Sequence, residues 1–266
     1  MKTRSANRYQ VLIENIFLQH YRKGLKCVAF TREEIVGMAT KLKIALPSNI
    51  GDVLYSFRYR NPLPQTILDT QPAGQEWQIE GAGRAKYEFR MVPINRILPN
   101  LNLVITKIPD ATPEIIAATS LSDEQSLLAK VRYNRLIDIF LGLTAYSLQN
   151  HLRTTVKGTG QIEIDEVYVG IDKHGCQYII PVQAKGGADQ LSTVQAKQDI
   201  ACCSEKFPEL VCRPVSAQFL TDSRIAMFEL CLDGQGLVRT VEERHYLLVP
   251  ADQIDSKDRA DYRQRA

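Results

Sequence analysis

Two short apolar runs in the second half of the chain carry polar residues where their open ends would meet. Glu163 and Asp165 precede Val167, Tyr168 and Val169, while Gln183 and Lys185 follow Tyr178, Ile179, Ile180 and Val182. The stretch between them, residues 172–175 (Asp, Lys, His, Gly), has the chemistry of a turn, so 162–171 and 176–185 read as the strands of a hairpin. Both runs are apolar on both faces, as central strands of a covered sheet are, and polar groups there are costly unless paired or used. Side chains alternate along a strand, so Glu163 and Asp165 share one face, as do Gln183 and Lys185. Glu166 falls on the opposite face and ranks below them. Folding the hairpin gathers a carboxylate, an amide oxygen and an ammonium at one rim. Such oxygen donors suit Mg²⁺, which takes one or two protein carboxylates and keeps several waters. A lysine beside the ion can position or activate a water for in-line attack on a phosphodiester.

An aspartate, a hydrophobic strand, a turn, a second hydrophobic strand and then Gln-x-Lys resembles the signature of the PD-(D/E)XK nuclease superfamily. The glutamine version, Val182-Gln-Ala-Lys185, is similar to that of the Mrr-type restriction endonucleases. The resemblance implies a restriction-endonuclease-like α/β domain with a central mixed sheet flanked by helices. It assigns Asp165 and Gln183 to the Mg²⁺ site, with the main-chain carbonyl near Ala184 as a further ligand, and makes Lys185 the catalytic lysine. The sequence departs from the family at Ile164, where proline is usual, at Pro181 inside the second strand, and at Gly186-Gly187, where a basic residue is common. These departures concern the subfamily. The family often adds an upstream acidic residue, for which Glu163, Asp138 and Glu124 are candidates. On the helix expected over 189–206, Gln190 and Gln195 read either as contacts to DNA or to a bound water, or as ordinary polar helix residues. A second Gln-Ala-Lys, residues 195–197, lacks the preceding apolar strand and is read as coincidence.

The elements ahead of this hairpin have their own order. Tyr9, Leu12, Ile13, Ile16, Phe17 and Tyr21 recur at helical spacing over 6–22, and residues 27–30 form a short apolar piece. Thr31 and Glu34 make a capping box that opens a helix running to about residue 46. Ser48 can cap the next helix, with Ile50, Val53, Leu54 and Phe57 inward and Asn49, Ser56, Tyr59 and Arg60 outward. Residues 77–79 and 87–91 read as paired strands joined through 81–86. This order resembles a winged-helix domain, which implies DNA binding. The outer helix positions would face a major groove, and Arg84 and Lys86 would reach phosphates. The domain is expected over 1–95.

Residues 96–121, rich in proline, read as a connection, and 122–266 as the nuclease domain. Within the latter, Ser122 to Gln125 starts a long helix or broken pair ending near residue 153. Strands are expected at 214–219, 225–230 and 245–250, and a polar tail follows from residue 256.

Composition sets the outer limits. Of 266 residues, 44% are hydrophobic and 24% charged, which excludes a disordered or fibrous chain. No apolar stretch reaches the ~18 residues of a membrane span, and the polar start of the chain argues against a secretion signal, so a cytoplasmic protein is expected. Six cysteines without C-x-x-C spacing read as reduced core residues. Residues 1–100 carry 15 basic against 8 acidic side chains, whereas the remainder carries 18 against 22. A basic module ahead of an acidic one fits a polyanion-binding part and a part that uses carboxylates. There is no P-loop, no H-E-x-x-H and no G-x-S-x-G. The reading is a Mg²⁺-dependent, restriction-type endonuclease acting on duplex DNA as a homodimer. Its rivals are a non-catalytic DNA-binding regulator on a decayed nuclease core and a junction-resolving or repair nuclease on the same fold.

Overall fold

The computed structural model describes residues 3–59, 61–119, 124–186, 189 and 191–265; for 3–7 and 59 it describes the backbone alone. The chain divides into two compact units, residues 1–95 with 155–162, and residues 96–154 with 163–266.

The first unit runs α1 (Thr3–His20), β1 (Cys27–Thr31), α2 (Arg32–Lys41), α3 (Gly51–Tyr59), α4 (Gln65–Leu68), β2 (Gln75–Gly81) and β3 (Lys86–Pro93). The strands form an antiparallel sheet ordered β1-β3-β2. The apolar stripe read over 6–22 is the inner face of α1: Leu12, Ile13, Ile16 and Phe17 are buried, and Phe17 meets Trp77 and Phe89 edge-on. Such aromatic contacts add to the stabilisation that burial alone gives. The capping box forms, with Thr31 N–H donating to Glu34 Oε2 (2.7 Å) and Glu34 N–H to Thr31 Oγ1 (3.3 Å).

Three details of this unit differ from the sequence reading. Helix α2 stops at Lys41, because Lys43 takes a left-handed conformation (φ 54°) that ends the helical run. Asn49, not Ser48, sits at the start of α3. Its Oδ1 accepts from Gly51 N–H and its Nδ2 donates to Asp52, so this side chain, expected at DNA, is committed to a helix start. Ser56 is half-buried and accepts from Asn61 Nδ2 at 2.6 Å, so it too is turned to its own fold. The Tyr59 side chain and Arg60 lie outside the described residues. Arg84 and Lys86 are exposed at the β2–β3 turn.

The second unit comprises β4 (Ile105–Pro109), α5 (Glu114–Thr119), α6 (Glu124–Tyr133), α7 (Leu136–Leu141), β5 (Thr144–Val156) and β6 (Gly160–Ile171) except for their ends within 155–162, β7 (Gln177–Lys185), α8 (Thr193–Lys206), β8 (Val211–Cys212), β9 (Val215–Phe219), β10 (Ile225–Leu232), β11 (Val238–Val249) and α9 (Ser256–Arg265). It is an α/β arrangement on a large mixed sheet, ordered β4-β11-β10-β9-β7-β6-β5, with β8 beside β7. Strands β6 and β7 pair antiparallel, whereas β7–β9 and β4–β11 are parallel. One sheet face packs Tyr168, Ile180, Val182 and Ala184 against Leu127, Leu128 and Val131 of α6 and Leu136 and Ile137 of α7. On the other, Ala196 of α8 joins Ala226, Phe228 and Leu230. Coverage on both faces explains why β6 and β7 are apolar throughout their middles.

Residues 96–119, read as a connection, belong to this unit: β4 is a strand of the large sheet and pairs with β11 more than a hundred residues later. The helix expected to reach residue 153 ends at Leu141. Arg135 (φ 50°) breaks it once, and Gly142 (φ 66°) closes it in the left-handed conformation that glycine adopts without steric cost. Beyond that point the chain is β5. Pro181 sits where the partner strand changes. Strand β7 pairs with β8 up to Ile179 and with β9 from Val182, so the missing N–H falls in the gap. The cysteines are free, and Cys27, expected in the core, is exposed while Cys202 and Cys203 are buried. Among the described residues no helix is long and apolar enough to cross a membrane.

Candidate functional site

The β6–β7 ladder is regular from Ile171–Gln177 to Glu166–Val182. Beyond that pair side chains take over the bonding. Asp165 Oδ2 accepts from the Ala184 N–H at 2.8 Å, and Gln183 Nε2 donates to the Glu163 carbonyl at 3.2 Å. The hairpin therefore brings Asp165, Gln183 and Lys185 together, as the alternation of side chains requires. Gln183 and Lys185 are buried, at 3% and 5% exposure, and Asp165 is half-buried.

Two further elements reach this rim. Glu124, the first described residue of α6, accepts from Lys185 Nζ at 2.9 Å. From α8 come Asp199 and Gln195, both buried. Gln183 Nε2 donates to both Asp199 oxygens (3.2 and 3.0 Å), and Gln195 Nε2 lies 3.5 Å from Gln183 Oε1. Gln195 Oε1 is buried without a hydrogen-bond partner among the described residues.

The electrostatics follow from this burial. Desolvation holds the Asp165 carboxyl above the usual carboxylate range, opposed by the Ala184 N–H and the Lys185 ammonium and reinforced by Glu124 and Glu163. Asp199 is raised well above that range, by burial first and also by the nearby Asp165. Two acids that ionise reluctantly around one ammonium make a site in which an added cation would be favoured.

The upstream acidic candidates separate clearly. Glu124 is at the lysine. Asp138 is not part of the cluster: it pairs with Arg135 and accepts from the Ala145 N–H, closing the α7–β5 corner. Glu163 is near Asp165, but its carboxylate pairs with Arg153 (3.1 Å) and His151 (3.2 Å), two residues of β5. Gln195, considered as a DNA contact, is buried at 8% exposure beside Gln183 and offers no surface to a duplex. Gln190 lies outside the described residues. Sequence reasoning missed Asp199, and the signal that could have found it was an acid among the inward positions Val194, Ala196, Cys202 and Cys203 of α8.

No group of three or more His, Cys, Asp or Glu side chains among the described residues is placed to hold a metal. The donor set present is of another kind. Asp165 has one oxygen engaged by the Ala184 amide, Gln183 Oε1 is met by Gln195 at the limit of a hydrogen bond, and Gln195 Oε1 is orphaned. One carboxylate with amide oxygens fits a hard cation that keeps its waters and takes further oxygens from a phosphate substrate. No family model, curated protein or solved structure matches the chain.

Proposed function

We propose that this chain is a divalent-cation-dependent endodeoxyribonuclease of the PD-(D/E)XK kind, restriction-type, cutting duplex DNA. The observation that carries the reading is the convergence of Asp165, Gln183 and Lys185 at the open end of one hairpin, with Glu124 on the lysine. Asp165 and Gln183 would hold Mg²⁺, and the bound ion would supply Lewis-acid polarisation of a phosphoryl oxygen. The chain's own groups do the rest. Glu124 fixes the Lys185 ammonium, whose protons can orient an attacking water or bind a non-bridging oxygen as charge builds there. The near-complete burial of Lys185 keeps bulk water from screening that charge. With the P–O3′ bond broken and the 3′-oxygen leaving as a hydroxyl, the products would carry a 5′-phosphate, as in the family generally, and cutting both strands calls for a homodimer.

The first unit supports a DNA-binding role. Its order of helix, strand, three helices (the last, α4, a single turn) and hairpin, on a β1-β3-β2 sheet, resembles that of a winged helix, and Arg84 and Lys86 are exposed at the hairpin turn. These two would contact backbone phosphates, which position a protein without reading sequence.

The test is a cleavage assay with Mg²⁺ on methylated and unmethylated plasmid and phage DNA, wild type against Lys185→Ala. Discrete fragments from the wild type alone support the reading. Cutting of branched substrates at any sequence favours a junction-resolving or repair nuclease on the same residues. Sequence-selective binding by both proteins without cutting favours a regulator.

A further inference from the structure

The nuclease reading leaves Asp199 without a role, although it is a carboxyl group buried to 2% exposure on α8. Its hydrogen-bond partner is the Gln183 amide, and the details of that amide give it one. Nε2 spends its protons on acceptors alone: the two Asp199 oxygens and the Glu163 carbonyl. Rotating the amide by half a turn would set Oε1 against those same three oxygens. Asp199 and the Glu163 carbonyl therefore fix which end of Gln183 is the donor, and its Oε1 is turned to the other side. There it meets Gln195 Nε2 at 3.5 Å, a weak contact that leaves its acceptor capacity largely unused. A carboxyl accepting from the amide nitrogen also polarises the amide and strengthens its oxygen as a ligand.

Charge is the second half of the observation. A carboxylate at position 183 would bring a negative charge into contact with a cation; glutamine brings none. Here the acid stands one hydrogen bond behind, on a different element. We propose that Asp199 is the positioning residue of the cation site, and that the Gln183–Asp199 pair together fills the place of one charged ligand. The inference rests on the reading of Asp165 and Gln183 as a divalent-cation site. It adds that, once a cation is bound and its field favours ionisation, the anionic share of that site is held on α8.

Mn²⁺ is a suitable probe, because its binding to the full chain can be followed by electron paramagnetic resonance and calorimetry without any DNA. Three proteins suffice: wild type, Asp199→Asn, and Gln183→Glu with Asp199→Asn. The last moves the carboxylate onto residue 183 and leaves an amide behind it, so the hydrogen bond survives with its donor reversed. Asp199→Asn leaves an oxygen that can still accept from Gln183 Nε2 and removes the charge behind it; mutation of such an outer partner of a ligand typically weakens metal affinity 10- to 100-fold. The expected results are a weakening of at least about tenfold for Asp199→Asn and recovery to within about threefold of wild type in the double variant. A merely structural role for Asp199 would not be rescued by moving the charge. Equal Mn²⁺ affinity in wild type and Asp199→Asn overturns the inference, as does a double variant as weak as Asp199→Asn, or a wild type that binds no Mn²⁺. If Asp199→Asn fails to fold by thermal melt, the double variant against wild type decides in the same way. Plasmid nicking by the same preparations separates the two levels. The rescue pattern without nicking retires the nuclease reading and leaves the pair standing, whereas nicking without the rescue pattern does the reverse.

Discussion

Asp165 and Glu166 are neighbours in one strand and face opposite sides of one sheet, and they are treated in opposite ways. Glu166 is fully buried; its Oε1 takes both the Arg132 guanidinium (2.8 Å) and the Ser147 hydroxyl (2.6 Å), while Oε2 has no hydrogen-bond partner among the described residues. Asp165 is less buried, and its carboxyl is nevertheless held above its ordinary range, with a backbone N–H and a lysine as its opposing partners. On the α6 side the fold has brought a cation to its buried acid. On the α8 side it has brought a second acid, Asp199, and amide oxygens that lack full partners. Unsatisfied oxygens occur on both sides, so the difference lies in charge: Glu166 has a guanidinium of its own, whereas Asp165 and Asp199 share one ammonium, an imbalance that the proposed cation would offset.

The largest effect should come from the site itself. Lys185→Ala is expected to lower DNA cleavage by about 10²–10⁴-fold, the range typical of one preorganised electrostatic or proton-transferring group, while the melting temperature stays near that of wild type. A variant that melts early and cuts in proportion to its folded fraction would place Lys185 with the structural groups instead. The opposite pattern is expected across the strand. Arg132→Ala leaves the Glu166 carboxylate buried beside a single hydroxyl, which should cost about 3–5 kcal/mol, or roughly 10 °C in melting temperature. The cleavage rate per folded molecule should be unchanged, as measured below the variant's own transition.

Much of this contrast was legible in the sequence, and the limits were physical ones. The hairpin and its faces follow from a period of two, so Asp165, Gln183 and Lys185 could be grouped from spacing alone. The same rule put Glu166 on the other face. Asp199 could not be grouped with them, because its meeting with Gln183 depends on how α8 crosses the sheet between β7 and the parallel β9. Glu124 was one of three acidic candidates until α6 set it on Lys185. Strand β5 was hidden for a different reason. Its residues Leu143 to Leu148 continue an apolar pattern begun in α6 and α7, and only the left-handed turn at Gly142 shows where the helical period stops. Strand β4 was hidden in the proline-rich stretch read as a connection, since its partner β11 lies at the far end of the chain.

A smaller effect tests the cost of the unpaired side through pH. Asp165 and Asp199 bind their protons more tightly folded than unfolded, so their contribution to stability is greatest at low pH. It falls as pH rises from the ordinary carboxylate value through the raised one. Asp199→Asn removes the larger part of that decline. Without added metal, the variant should gain on the wild type in melting temperature as pH is raised from about 4 to 8, by a few degrees, since each tenfold change in proton affinity is worth about 1.4 kcal/mol. A difference that is flat with pH would mean that Asp199 ionises as easily in the folded chain as in the unfolded one.

The smallest effect should come from Glu163, two residues before Asp165 on the same face. Its carboxylate is 39% exposed and shared between Arg153 and His151, which are themselves open to solvent. Solvent-exposed pairs of this kind contribute about 0.2–1 kcal/mol, with salt reducing them further. Glu163→Ala should therefore shift stability by no more than that and leave cleavage within about threefold of wild type, because the group that Gln183 uses is the Glu163 carbonyl, which alanine retains. A loss of a hundredfold or more at unchanged stability would move Glu163 into the reacting centre. The dividing line on β6 would then run by face alone, since burial would no longer separate the acids that act from those that only hold the sheet.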